Sequence, residues 1–221
     1  MRNLHEDLVA EIMGERRRLT RRGLLGGAAK LAGGAALAFS LVTVPSPISI
    51  RHLAAAQEWT DLDVLNYALT LEHLEYAFYR DGVGLFTFGD DSRGASIDDN
   101  LAAIRDHEGE HVTTLIQVIT DLKGEPVVEA KYDFGDAYTD PAAFLATAMA
   151  LENTGVMAYD GAGQFLKNPD LLTAAGTIVA VEARHASYLN LINGQVPFPA
   201  PFETPWTKEQ VLEAAGPFIV S

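Results

Sequence analysis

Six side chains of metal-ligating type recur at matched positions in the chain: Glu72, Glu108 with His111, Glu152, and Glu182 with His185. Each sits within a stripe of apolar residues spaced three and four apart, the pattern of a helix face turned to a core. Leu65 and Leu69 lead to Glu72, and Tyr76 and Tyr79 follow it; Leu101 and Ile104 lead to Glu108, and Leu115 and Val118 follow His111. Leu145 and Ala148 precede Glu152, while Ala175 and Ile178 precede Glu182. One Glu or His on such a stripe is ordinarily a core residue satisfied by its neighbours. Four ionised glutamates in one interior would each forfeit several kcal/mol of solvation without compensation. Two divalent cations offset that charge, and two neutral imidazoles complete the donor set. A Glu from each of two helices and Glu-x-x-His from each of two others is the di-iron or di-manganese carboxylate constellation. The expected ligands are therefore Glu72, Glu108, His111, Glu152, Glu182 and His185, around two divalent ions of iron or manganese.

An internal repeat points the same way. LEHLEYAFY places Tyr79 seven residues after Glu72, and LENTGVMAY places Tyr159 seven residues after Glu152. Each segment is followed by a Glu-x-x-His segment, so two helix pairs each carry half of the ligands about a pseudo-twofold axis. Tyr79 and Tyr159 fall on the stripes and are candidates to hydrogen-bond the ligands as well as to pack. Glu75, one turn from Glu72, is either an extra ligand or a rim residue. His73, His107 and Glu110 flank ligand positions off the stripes, which places them at the surface. The acid-rich loop GDDSRGASIDD lacks the spacing of a calcium loop and reads as solvated.

The elements that must position these groups are helices. Thr60 caps a first helix running to about Arg80, and Ser96 opens a second that Gly124 closes. Asp140-Pro141 starts a third ending near Lys167, and Asn168-Pro169 starts a fourth stopped by Asn193-Gly194. After a proline-rich stretch, Thr207 and Gln210 form a capping box for a short helix ending at Gly216. No strand pattern of comparable strength appears. Two antiparallel helix pairs need a long crossover, and the 16 residues Gly124–Thr139 reach roughly 50 Å, against roughly 39 Å for the second helix. The expected fold is an all-α four-helix bundle with a C-terminal tail and short helix.

Composition narrows the chemistry. The 221 residues hold 30 acids, 16 bases and no cysteine, with 48% hydrophobic side chains. The missing cysteines exclude disulfides, iron–sulfur clusters, thiolate zinc and a cysteine nucleophile. The net charge of −14 argues against nucleic acid as a partner. That charge is uneven, at +4 over residues 1–56 and −18 over residues 57–221. The basic part contains Thr20-Arg21-Arg22-Gly23-Leu24-Leu25, an apolar run to about Val44, Pro45 and Pro47, and the small residues Ala54-Ala55-Ala56. It resembles a twin-arginine signal, with an ordinary export signal or an uncleaved membrane anchor as alternatives. The expected divisions are a leader over 1–56, a bundle over 57–194 and a tail over 195–221.

Taken together, the four ligand-bearing helices and the tail PFPAPFETPWTKEQVLEAAGPFI resemble the ferritin-like superfamily, and within it the exported proteins that include desiccation-related ones. The resemblance covers about residues 58–221 and implies the fold and the six metal positions named above. It implies export across the cytoplasmic membrane, contact with the membrane only through the leader or export machinery, and leaves a homo-oligomer open. Its activities are diverse. The expectation is a di-metal protein reacting with dioxygen or peroxide, as a ferroxidase, peroxidase or catalase does, under oxidative or desiccation stress. The alternatives are a non-catalytic metal-binding or stress-protection protein of the cell envelope, and an interaction module using the tail.

Overall fold

Five α-helices each begin at a side chain that caps them, in a computed structural model that describes residues 59–220. The expected leader over residues 1–56, with Arg21, Arg22 and Ala54–Ala56, lies outside the described residues. Helix α1 (Asp61–Gly82) opens with a capping box in which Thr60 Oγ1 accepts from Asp63 N–H at 3.2 Å and Asp63 accepts from Thr60 N–H at 2.8 Å. Ser96 caps α2 (Ile97–Asp121), Asp140 caps α3 (Pro141–Gly163) and Asn168 caps α4 (Pro169–Ile192). Thr207 and Gln210 form the box at the start of α5 (Lys208–Ala215). Each such cap contributes about 1 kcal/mol by satisfying an amide that has no intrahelical partner.

Four of the helix ends fall near the expected stops, and α3 ends early, at Gly163 rather than near Lys167. The next amides tighten into shorter turns, Phe165 N–H to Ala162 O and Leu166 N–H to Gly163 O. Lys167 N–H then donates to Asp61 at 2.7 Å, which ties the start of α4 to the start of α1. At the opposite end, Tyr138 hydroxyl donates to Phe78 O at 2.9 Å, placing the start of α3 beside the end of α1. Helices α1 and α4 therefore run one way and α2 and α3 the other. The connection between α2 and α3 is the long crossover. It runs along α1, where Val127 N–H donates to Asn66 at 2.8 Å.

One element departs from the all-helical expectation. Lys131–Tyr132 (β1) in the crossover pairs antiparallel with Ile219–Val220 (β2) in the tail, Lys131 opposite Val220. Two residues per strand are too few to leave an alternating pattern in sequence. This ribbon and Trp206 N–H, which donates to Met157 O at 3.0 Å, fasten the tail to the bundle. Trp206 comes so near α3 that a Cβ on Gly161 would collide with its backbone carbonyl.

The apolar interior forms two layers. One holds Leu71, Leu74, Phe78, Leu101, Phe144 and Leu189, with Phe78 and Phe144 rings stacked at 4.7 Å. The other holds Leu65, Leu69, Val112, Leu115, Ile119 and Ile178. The six candidate ligands fall between them along all four helices. Among the described residues, no helix is long and apolar enough to cross a membrane.

Candidate metal centre

Matched height in sequence becomes convergence in space. Glu72 on α1, Glu108 on α2, Glu152 on α3 and Glu182 on α4 are each 0% exposed. The donor atoms form two groups, Glu72–Glu108–His111–Glu182 and Glu108–Glu152–Glu182–His185, with atoms in each group within 4.8 Å of one another. Glu108 and Glu182 belong to both groups. Each imidazole turns Nδ1 inward: His111 Nδ1 lies 3.1 Å from Glu72 Oε2, 3.3 Å from Glu108 Oε2 and 2.9 Å from Glu182 Oε1. His185 Nδ1 lies 3.0 Å from Glu108 Oε1, 3.2 Å from Glu152 Oε2 and 3.8 Å from Glu182 Oε2.

This donor set fits bound metal better than it fits itself. One nitrogen cannot donate to three carboxylates, and Glu108 Oε1, Glu152 Oε1 and both Glu182 oxygens are buried with no aligned hydrogen bond. Buried carboxylate oxygens left in this state are costly. They are also the lone pairs that hard or borderline divalent cations take up.

Protonation follows from the same crowding. Burial pushes the Glu72, Glu75 and Glu152 carboxyls well above the ordinary carboxylate range, and the neighbouring glutamates push in the same direction. For both imidazoles burial is the largest influence and opposes the charged form. Hydrogen bonds to the surrounding carboxylates outweigh it, raising His111 and His185 to about 12. Glu182 also resists ionisation through burial, but His111 and His185 pull it down to about 2.

The two tyrosines cross between the helix pairs. Tyr159 on α3 donates its hydroxyl to Glu72 Oε1 on α1. Tyr79 on α1 lies close to Glu152 on α3 without an aligned hydrogen bond, and burial holds its hydroxyl well above the ordinary phenol range. The internal repeat thus positions each tyrosine toward the terminal glutamate of the other pair.

One flanking histidine departs from expectation. His73 is 6% exposed rather than at the surface, with Nε2 3.3 Å from Val127 O. The crossover covers that side of α1, so a stripe of one face does not describe a helix enclosed on several. His107 is exposed as expected, yet its Nδ1 meets His185 Nε2 at 2.9 Å and the two rings stack with planes 11° apart. It orients a candidate ligand through the nitrogen that ligand does not turn inward. The available signal was indirect: a ligating imidazole ordinarily needs a partner for its other nitrogen, and His107 adjoins Glu108. Glu110 is exposed, as expected.

Glu75 is neither a rim residue nor part of either donor group. It is 3% exposed and lies outside both donor groups. The repeat pairs it with Gly155, and a Cβ there would lie 2.8 Å from Glu75 Oε1. The glycine of one half leaves the space that the extra carboxyl of the other half fills. In the acidic segment leading into α2, Asp98 of the first turn accepts from Gly89 N–H at 3.0 Å and Asp91 from Arg93 N–H at 2.8 Å, so these acids organise backbone rather than converge on an ion.

A family model described as a ferritin-like domain matches residues 60–195. No curated protein matches the chain.

Proposed function

The chain belongs to the ferritin-like domain family, and from that premise we propose that it is a di-metal carboxylate protein that reacts with dioxygen or peroxide. The observation that carries the proposal is the sharing of Glu108 and Glu182 between two adjoining donor groups, with buried oxygens in both lacking an aligned hydrogen bond. Glu108 and Glu182 would bridge two ions of iron or manganese. Glu72 with His111, and Glu152 with His185, would complete the two ends. Bound there, the metals would supply electrons to a small oxidant.

The remaining work falls to the protein. Tyr159 fixes the Glu72 carboxylate and His107 orients His185. The apolar layers on either side exclude water from the charge exchange. Ferroxidase, peroxidase and catalase reactions all fit this arrangement, and oxidative or desiccation stress is the proposed setting. Export of the folded, metal-loaded protein by the twin-arginine route belongs to the proposal. It lets manganese or iron be inserted where copper and zinc do not outcompete them.

The test is turnover of dioxygen and of hydrogen peroxide by iron- and manganese-loaded protein, in the parent and in Glu108→Ala. Turnover by the parent that vanishes in the variant supports the reading. If metal loss lowers only the melting temperature, and no metal form turns over either oxidant, the protein is instead a metal-binding or protective one.

A further inference from the structure

Trp206 pins the tail to α3 through its N–H on Met157 O at 3.0 Å. Between that anchor and the end of α4, residues 197–200 and Glu203 close a groove of about 540 Å³ over α3 and α4. Small-molecule sites run from about 300 to 1,000 Å³, so the groove is of ligand size. Val156, Ala186 and Leu191 line it with apolar surface, and Asn153, Ser187 and Asn190 with polar groups. Pro197 and Pro199 hold their φ at about −65°, so the tail side is stiff before any ligand arrives. None of the six candidate metal ligands lines the groove, and a ligand there is independent of the di-metal reading.

The groove carries one charge of each sign without a partner. Arg80, Arg93 and Arg105 each hold a carboxylate, Arg93 that of Asp91 at 3.2 Å. Arg184 lines the groove and makes no ion pair among the described residues. Glu203 lines it too and does not pair with Arg184. It lies beside α3 instead, where burial first and the Glu203 charge second raise the Asp160 carboxyl. A third group is also unfinished. Asn190 is 8% exposed, its Oδ1 accepts from Asn153 at 2.9 Å and its Nδ2 donates to Asn153 Oδ1 at 3.3 Å. An amide nitrogen has two N–H donors, so one of them has no partner among the described residues. At the mouth stands Phe198, an apolar ring left 78% exposed.

We propose that this groove binds an apolar dipeptide with both ends free. The Arg184 guanidinium takes the terminal carboxylate in a two-pronged contact, and Glu203 takes the terminal ammonium. The spare N–H of Asn190 donates to the peptide carbonyl, and Phe198 covers an apolar side chain over Val156 and Ala186. Each part of the ligand answers a group that the protein leaves open. A single amino acid has no peptide carbonyl for Asn190. In a longer peptide the two charged ends move apart by roughly 3.5 Å per added residue, and one groove no longer serves both.

The experiment titrates the full chain calorimetrically with leucyl-phenylalanine at neutral pH and low salt. Two analogues are run beside it: the N-acetyl form, which lacks the ammonium, and the C-terminal amide, which lacks the carboxylate. The parent should bind one equivalent of the dipeptide, and each analogue more weakly. Arg184→Gln and Glu203→Gln should each weaken dipeptide binding by about tenfold or more. The losses should also cross over, as coupled pairs do. Arg184→Gln weakens the N-acetyl form and not the amide, whereas Glu203→Gln weakens the amide and not the N-acetyl form. Phe198→Ala should weaken all three ligands alike. No saturable binding by the parent at millimolar dipeptide overturns the proposal. So does an N-acetyl form that binds as tightly as the dipeptide, which would mark a site for a simple carboxylate, and so do variants that leave every affinity unchanged. Metal content of the same samples reads the di-metal centre separately, so failure of one reading leaves the other visible.

Discussion

Metal loading should expel a countable number of protons. Without metal, burial raises the Glu72 and Glu152 carboxyls well above the ordinary carboxylate range, and His111 and His185 are held charged by the carboxylates around them. Metal ligation requires ionised carboxylates and neutral imidazoles. Glu182, already pulled down to about 2, has no proton to give. Filling both positions at pH 6 should therefore release about two protons per chain or more, one from each imidazole and the rest from the raised carboxyls. Each released proton makes binding about 1.4 kcal/mol more favourable per pH unit, so the two imidazoles alone should add about 2.7 kcal/mol per unit to the combined affinity for two ions in this range. Calorimetric titration with manganese(II) in two buffers of different ionisation enthalpy measures the number directly. Glu152→Gln should lower both the proton count and the metal stoichiometry. Release of less than about one proton per chain, with two ions bound, would refute the reasoning. It would mean either that the donors are ionised before metal arrives or that the ions bind elsewhere.

Stability of the metal-free protein should depend on pH with a definite sign. The raised carboxyls of Glu72 and Glu152 contribute stability that is complete below about 4.5 and is lost as pH rises through their folded values. His111 and His185 act in the same direction, complete below about 6.5 and lost toward about 12, whereas Glu182 loses its contribution as pH falls from about 4.5 toward about 2. Melting temperature of the metal-free protein should accordingly be higher at pH 5.5 than at pH 8.5, and the metal-bound protein should narrow or reverse that difference. His107→Ala removes the partner of His185 Nε2 and should weaken binding of one of the two ions by about 10–100-fold, measured by competition with a chelator; equal weakening of both ions would contradict the assigned role. Gly161→Ala gains about 1 kcal/mol of helix propensity but drives a Cβ into the Trp206 carbonyl. It should cost about 1–3 kcal/mol net in denaturant unfolding and speed proteolysis of the tail.

Much of this architecture was legible because the signals were local. Caps at Thr60, Ser96, Asp140, Asn168 and Thr207 are written in two to four adjacent residues, and all five helices start where those residues place them. The six donor positions were legible through helical periodicity, which converts spacing directly into a shared face. What escaped was non-local. His73 is buried by a crossover whose path periodicity does not describe, and the ribbon of β1 with β2 joins residues far apart in the chain. The contact of His107 with His185 depends on how α2 approaches α4. The fit between Glu75 and Gly155 was visible as an aligned pair in the repeat, but its meaning requires knowing that the two positions face each other.

Metal analysis of protein folded in its native cytoplasm tests most directly whether this buried layer holds two metal ions. About two iron or manganese ions per chain are expected, lost together in a Glu108→Ala/Glu182→Ala variant that removes both shared carboxylates. Less than about half an equivalent per chain, unchanged by that substitution, would contradict that expectation.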